Sequence, residues 1–393
     1  MNYDDSDVVI IDAVRTPVGA FGGSYKTVSS HSLGSAVIKN VMERNNIDGK
    51  EISEVIIGQI MTAYNGPNPA RQAAMNAGIP VEIPAYGINQ LCGSGLKSIC
   101  LGYQAIRNAD SQIVIAGGQE NMSRSAHAYP LRHDSDAKFV DTMLYDALID
   151  PFYNIHTVNT AENIARKFSI SREEQDELSA ISHQKYQTAL SKGKFEDEIV
   201  PIEIIEDGRI SIIYEDELPR KDVTIDQLAK LRPAMLREGS VTAGNASPIS
   251  DGASVVLMMP YREAKERGLE PMAAIKSWAE FGVDPSIMGV GPIPASKKAL
   301  SKAGWAVEEL DIIESNESFA AQAIHVNREM GWDMNKVNLN GGAIAIGHPF
   351  GASGARILTT LLHEMKRQNS EKSLATLCVG GGMGISMCLE RMS

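Results

Sequence analysis

An α/β protein with a duplicated architecture and one long insertion is the fold class that this sequence predicts, and three observations carry it. Short apolar runs alternate with helical patterns, two groups of segments recur at similar offsets, and a charged stretch of different composition separates them. The length of 393 residues exceeds what one hydrophobic core usually organises, which suits two or three lobes or a doubled fold. Apolar residues at 43% and charged residues at 22% belong to an ordinary globular chain with a sizeable core, not to a disordered one.

Taken in chain order, Val8–Ile11 is β-branched throughout and stops at an aspartate, which reads as a strand. Ser32–Arg44 has the apolar spacing of a helix, and Val55–Ile60 is the next apolar run. Leu96–Arg107 reads as a helix and Ile113–Ala116 as a strand ending on glycines. Ala161–Phe168 and Ser171–Leu190 are helical patterns in the charged stretch. Val255–Met259, Ile312–Glu314 and Leu374–Val379 are strands, with helices at Ser296–Ala303 and Ala355–Lys366 among them. Such alternation implies strands covered by helices.

The repetition is specific. Ile47–Ile57 resembles Trp305–Ile313 in order: helix end, acidic turn, strand. Cys92-Gly93-Ser94-Gly95, a helix and then Ile113–Gly118 are echoed by Gly351-Ala352-Ser353-Gly354, a helix and then Leu377–Gly381. The two echoes have similar offsets, roughly 256 to 264 residues, which separates them from chance likeness between unrelated strand-helix-strand units. The expected division is a first half of residues 1–120 plus 246–270, an inserted loop domain at 121–245, and a second half at 271–393. Long excursions from a scaffold commonly carry binding surfaces.

A formal charge of −12 argues against nucleic acid as a partner, because phosphate-backbone binders concentrate Lys and Arg on a contact face. A local basic patch for one anionic ligand stays open. The four cysteines, Cys92, Cys100, Cys378 and Cys388, have neither C-x-x-C spacing nor a nearby His cluster, so neither a disulfide scaffold nor a metal site is expected. Met1–Asp7 is acidic, and no apolar run approaches a membrane span; the expected location is cytoplasmic, with no membrane partner.

Cys92 stands at a strand-to-helix turn between Asn89-Gln90-Leu91 and Gly93-Ser94-Gly95. A sulfur beside a helix N-terminus is expected to have a lowered pKa and to be a primed nucleophile. The competing reading is an inert buried cysteine, which suits Cys100 better. His348, between Gly347 and Pro349, can take a proton from a thiol or donate to developing negative charge, or it is a structural loop histidine. Cys378 ends an apolar strand ahead of Val379-Gly380-Gly381-Gly382, whose backbone N–H groups can face an oxyanion. Asn316-Glu317-Ser318-Phe319 follows a strand, where polar residues face the site in α/β sheets.

Together these segments resemble the thiolase family over nearly the whole chain: Cys92 before a small-Ser-Gly turn, Asn-Glu-x-Phe from Asn316, Gly-His-Pro around His348 and Cys-x-Gly-Gly-Gly from Cys378. Gly117–Ser123 and Val241–Ser247 extend the resemblance. It implies a duplicated α-β-α-β-α layered fold with the insertion over the active site. It also implies acetyl-CoA C-acetyltransferase activity without a bound cofactor or metal, on acetyl-CoA, acetoacetyl-CoA and CoA. Cys92 would carry the acetyl group with His348 as its base, and Cys378 would remove the α-proton of a second acetyl-CoA. His348 and a water held by Asn316 would steady the enolate, and the N–H groups of Cys92 and Gly380 the other oxyanion. CoA contacts would fall on Leu148, His156, Arg220, Ala243, Ser247, Met288 and Phe319. A homotetramer is implied, with Ser123–Asp136 as a candidate contact loop.

Four residues depart from the family's pattern. Thr157 and Val158 stand where Met-Gly is usual, Ser318 where alanine is usual and Pro248 where glycine is usual; the expectation is a reshaped acyl pocket or CoA slot with no catalytic group lost. Alternatives are a degradative 3-oxoacyl-CoA thiolase and a catalytically silent acyl-CoA-binding partner. Retention of Cys92, His348, Cys378 and Asn316 argues against the second.

Overall fold

The computed structural model describes residues 4–129, 138–206 and 208–392. The first half contains β1 (Val8–Arg15), α1 (Ser30–Arg44), β2 (Glu54–Gly58), α2 (Pro69–Asn76), β3 (Ala85–Ile88), α3 (Ser94–Arg107) and β4 (Val114–Asn121). The excursion holds α4 (Thr157–Lys167) and α5 (Arg172–Ser191), after which β5 (Ser250–Pro260) returns to the sheet. The second half contains β6 (Ala273–Gly282), α6 (Pro292–Ala303), β7 (Ile312–Ser315), α7 (Ala320–Met330), α8 (Phe350–Gln368), β8 (Lys372–Val379) and β9 (Met383–Glu390). Every strand and helix expected from the sequence is present within a few residues of its expected bounds. The excursion also carries a hairpin, Ile202–Glu206 with Arg209–Ile213, that was not expected from the sequence.

The strands run in the order β7-β8-β9-β6-β1-β5-β4-β2-β3. The order makes the duplication visible. In the first half β2 pairs parallel with β4, and β4 antiparallel with β5, which pairs antiparallel with β1. In the second half β7, β8, β9 and β6 repeat those three pairings in the same sequence. The halves meet where Val9 faces Ala274 and Ile10 faces Ala273.

Alternation along each strand divides the core into layers, because successive side chains point to opposite faces. Val9, Val55, Ile57, Ile115 and Val255 pack against Leu33, Val37 and Val41 of α1. From the other faces Ile10, Ile56, Val114 and Val256 meet Leu96 and Ile99 of α3, Leu358 and Leu361 of α8, and Leu377 and Met387 of the second half. Leu374 and Cys388 turn outward against Leu300 of α6 and Val326 of α7. Helices α3 and α8 therefore form a shared middle layer, and Cys100 and Cys388 are core residues.

The middle layer explains the small residues of the repeat. A Cβ on Gly95 would lie 2.9 Å from the backbone of Gly351 and Ala355, and one on Gly354 would lie 2.4 Å from the Leu96 nitrogen. The backbones of α3 and α8 touch at their first turns. Cys92 lies two residues before one helix and His348 two residues before the other, so both stand where those first turns meet.

Candidate active site

Cys92 is held by a tight turn. Leu91 adopts φ +48°, a left-handed conformation that costs a residue with a side chain roughly 1–2 kcal/mol. The turn is tied by the Ser94 hydroxyl, which accepts from Gln90 N–H at 2.8 Å and donates to the Leu91 carbonyl at 2.6 Å. Half-buried, the Cys92 side chain packs against a cluster of Ile60, Met61, Met122, Met143, Leu148 and Phe350.

The expected resting thiolate is corrected here. Burial pushes the Cys92 thiol up to about 12 and the neighbouring Cys378 adds to the rise, while the N–H groups of Gly380 and of Cys92 itself pull it down. A helix N-terminus does not outweigh desolvation beside a second sulfur. Cys92 rests as a thiol and needs a base.

His348 is buried, its ring 4.8 Å edge-on to Phe350. Its backbone N–H donates to the Pro248 carbonyl and the Ser250 hydroxyl at 3.2 and 3.1 Å. The Nδ1 atom lies 2.5 Å from Ser353 Oγ. With the Ser353 hydroxyl donating to the Pro349 carbonyl at 2.8 Å, the network assigns the proton of the neutral ring to Nδ1 and the lone pair to Nε2. Burial, helped by Arg356, pushes the imidazole down to about 3, so the ring rests neutral.

Asn316 and Cys378 both reach Ser318 because β7 and β8 are adjacent and parallel, which places their carboxyl ends side by side. Asn316 Nδ2 lies 3.0 Å from Ser318 Oγ and 3.5 Å from His348 Nε2. Cys378 Sγ donates to Ser318 Oγ at 3.3 Å, and burial pushes this thiol up to about 11. Ser318, expected to alter the CoA slot, stands among the catalytic groups instead, with Oγ 3.4 Å from His348 Nε2.

The expected CoA residues divide. Met288 and Phe319 join Val158, Ala161, Val241 and Cys378 in one buried cluster, and Leu148 belongs to the cluster beside Cys92. The Ser247 hydroxyl and N–H both donate to the Ser318 carbonyl, at 2.9 and 3.0 Å. His156 caps α4, with Nδ1 accepting from Val158 N–H, and burial lowers its pKa. Arg220 and Ala243 are exposed; the Arg220 N–H donates to His183 Nδ1. Part of the expected contact loop Ser123–Asp136, residues 130–136, lies outside the described residues.

Several supporting groups were not foreseen. The buried Glu120 carboxylate accepts from the N–H groups of Ile60, Met61 and Gly351 at 3.0 to 3.1 Å, and burial pushes it up to about 7. Glu317 accepts from Ser182, Asn338 and Ile344 N–H, which pins the segment leading to His348. Asp251 accepts from Met122 and Ser123 N–H. Glu120 and Glu317 lay inside recognised motifs, but only their partners reveal the roles. Among the described residues no group of three or more His, Cys, Asp or Glu side chains could hold a metal ion, and no helix is long and apolar enough to cross a membrane.

Residues 8–262 match the N-terminal domain of thiolase and residues 269–391 its C-terminal domain. An acetyl-CoA acetyltransferase of Rhizobium meliloti (strain 1021) is 53% identical over 389 residues, covering 98% of this chain and 99% of its own. The crystal structure of the Bacillus anthracis acetyl-CoA acetyltransferase superposes with a TM-score of 0.96 at 42% identity, over 98% of this chain and 99% of that one. Human mitochondrial 3-ketoacyl-CoA thiolase gives 0.95 at 38% identity, with the same coverage.

Proposed function

The chain belongs to the thiolase family, and we propose how its residues serve the acetyl-CoA C-acetyltransferase reaction, the condensation of two acetyl-CoA to acetoacetyl-CoA and CoA. The observation that carries the reading is the meeting of two thiols, Cys92 and Cys378, at one site, with Cys378 Sγ and His348 Nε2 both within 3.4 Å of Ser318 Oγ.

Cys92 attacks the thioester carbonyl as its proton passes to His348 Nε2. Because the thiol is held near 12, proton loss accompanies formation of the sulfur–carbon bond instead of preceding it. The carbonyl oxygen collects charge beside the Gly380 N–H, which already points at the Cys92 sulfur. CoA leaves with the proton, and the acetyl group stays on Cys92. Cys378 yields its own proton to His348 and, as a thiolate, takes the α-proton of a second acetyl-CoA, while His348 and Asn316 face the forming enolate oxygen. The enolate carbon attacks acetyl-Cys92, which releases acetoacetyl-CoA and a Cys92 thiolate that regains its proton from His348. Division into two transfers replaces one difficult carbon–carbon bond formation.

Leu148, His156, Ser247, Met288 and Phe319 line the approach for the acyl and pantetheine parts, and Arg220 and Ala243 sit outside for the nucleotide end. The apolar wall of Met61, Met143, Leu148 and Phe350 close to Cys92 supports a short acyl group. Thiolysis rates on 3-oxoacyl-CoA substrates of increasing length test this: the reading requires the highest kcat/KM on acetoacetyl-CoA, and a preference for long chains overturns it.

The division into 1–120 with 246–270, 121–245 and 271–393 is supported by β4 ending at Asn121 and β5 starting at Ser250. Four free cysteines, two of them chemically required, support a reducing cytoplasm. A homotetramer is proposed on family likeness and on the exposed aromatics Phe139, Tyr145 and Phe152; light scattering giving a monomer overturns it.

A further inference from the structure

We propose that Ser318 is an additional catalytic residue, a hydroxyl that passes a proton between Cys378 and His348 during the condensation half of the reaction. The inference rests on the thiolase reading and adds a group to it.

Counting protons fixes the direction of each bond. Ser318 Oγ lies 3.3 Å from Cys378 Sγ, 3.0 Å from Asn316 Nδ2 and 3.4 Å from His348 Nε2. The thiol and the amide each bring a proton to that oxygen, which fills its two acceptor positions. Its own proton is then left for His348 Nε2, which carries the ring's lone pair because Nδ1–H is committed to Ser353. Thiol, hydroxyl and imidazole thus form a chain in which each group has one proton to give and the next has one place to receive it.

In the relay the Cys378 S–H bond breaks as its proton moves to Ser318 Oγ, and the Ser318 O–H proton moves to His348 Nε2. A thiol and an imidazole become a thiolate and an imidazolium, with no net change in protons or electrons. The thiolate takes the α-proton of acetyl-CoA, and the imidazolium presents Nε2–H to the enolate oxygen. Ser318 is only 4% exposed, its carbonyl is fixed by the Ser247 hydroxyl and N–H, and the hydroxyl is therefore held in place before substrate arrives.

The test is Ser318→Ala, read in two separate half-reactions. Acetylation of Cys92 by acetyl-CoA, followed by mass spectrometry on the millisecond-to-second scale, is the reference and is expected to change less than the second half-reaction does. Exchange of the acetyl methyl protons with D2O and overall condensation are expected to fall at least about tenfold, within the usual range for a lost proton-transfer group. Ser318→Thr, which keeps a hydroxyl, is expected to recover most of the exchange. Condensation within twofold of the parent overturns the proposal, and so does an equal fall in both half-reactions. Failure of the parent protein to acetylate Cys92 at all is a different result, which defeats the underlying thiolase reading.

Discussion

Ser353→Ala removes the acceptor that holds the His348 proton on Nδ1 and leaves the rest of the site in place. The bond is 2.5 Å long between two buried groups. Leaving a buried donor without its partner costs about 1–3 kcal/mol. That cost falls on the Nδ1–H tautomer alone, so the ring moves toward the form with its proton on Nε2, which cannot accept from Cys92. At about 1.4 kcal/mol per factor of ten, the acetylation rate should fall about 5- to 150-fold. Alanine is the best helix former, and the position lies inside α8, so the fold is expected to persist. The assay is rapid-quench acetylation of Cys92 by acetyl-CoA, with thermal unfolding of the variant as a check on folding. An acetylation rate within twofold of the parent, in a folded variant, refutes the tautomer argument.

Cys378→Ala should keep acetylation of Cys92 within a few-fold and lower condensation by about a hundredfold or more, measured as acetoacetyl-CoA formed per acetylated enzyme; equal losses in both would place Cys378 in the first step. Gly118→Ala puts a Cβ 1.9 Å from the Gly351 carbonyl oxygen, a backbone clash with no side chain free to yield, so a loss of at least about 1–3 kcal/mol in urea unfolding is expected, and unchanged stability would contradict the packing of β4 on α8. For His348, the folded imidazole is pushed down to about 3 from an ordinary 6.5. Between those values the unfolded chain binds a proton that the folded one does not, so stability is lost as pH falls from 6.5 toward 3, by up to about 4–5 kcal/mol from this group. His348→Gln should flatten that part of the urea-midpoint profile, and identical slopes would show that the ring is not held neutral.

The strands and helices that carry the repeat were legible because their patterns are local, and each is bounded by glycine or charge. Strands β6 and β9 were not read from the sequence. In β9 serine, glycine and cysteine interrupt the apolar run, while β6 opens with buried Ala273, Ala274 and Ile275 and then breaks at exposed Lys276; both depend on sheet partners far away in the chain. The catalytic groups were legible as motifs, since a cysteine at a helix-starting turn and a histidine between glycine and proline are unusual combinations. Their acidity was not. The rise of Cys92 comes from burial and from a sulfur that is 286 positions away in sequence, and only packing brings the two together. Ser318 was noted as a departure, but its meeting with Cys378 and His348 depends on three separate segments converging. The small residues of the repeated turns were legible as an echo; in the fold they permit backbone contact between α3 and α8.

The claim on which all of this depends is that Cys92 becomes the acyl carrier. Mixing the protein with acetyl-CoA, quenching in acid and mapping peptides by mass spectrometry tests it directly. The account predicts one acetyl group per chain, on Cys92, absent from Cys92→Ser and removed by added CoA. An unmodified Cys92 in a folded protein, or an acetyl group on Cys378 instead, would contradict it.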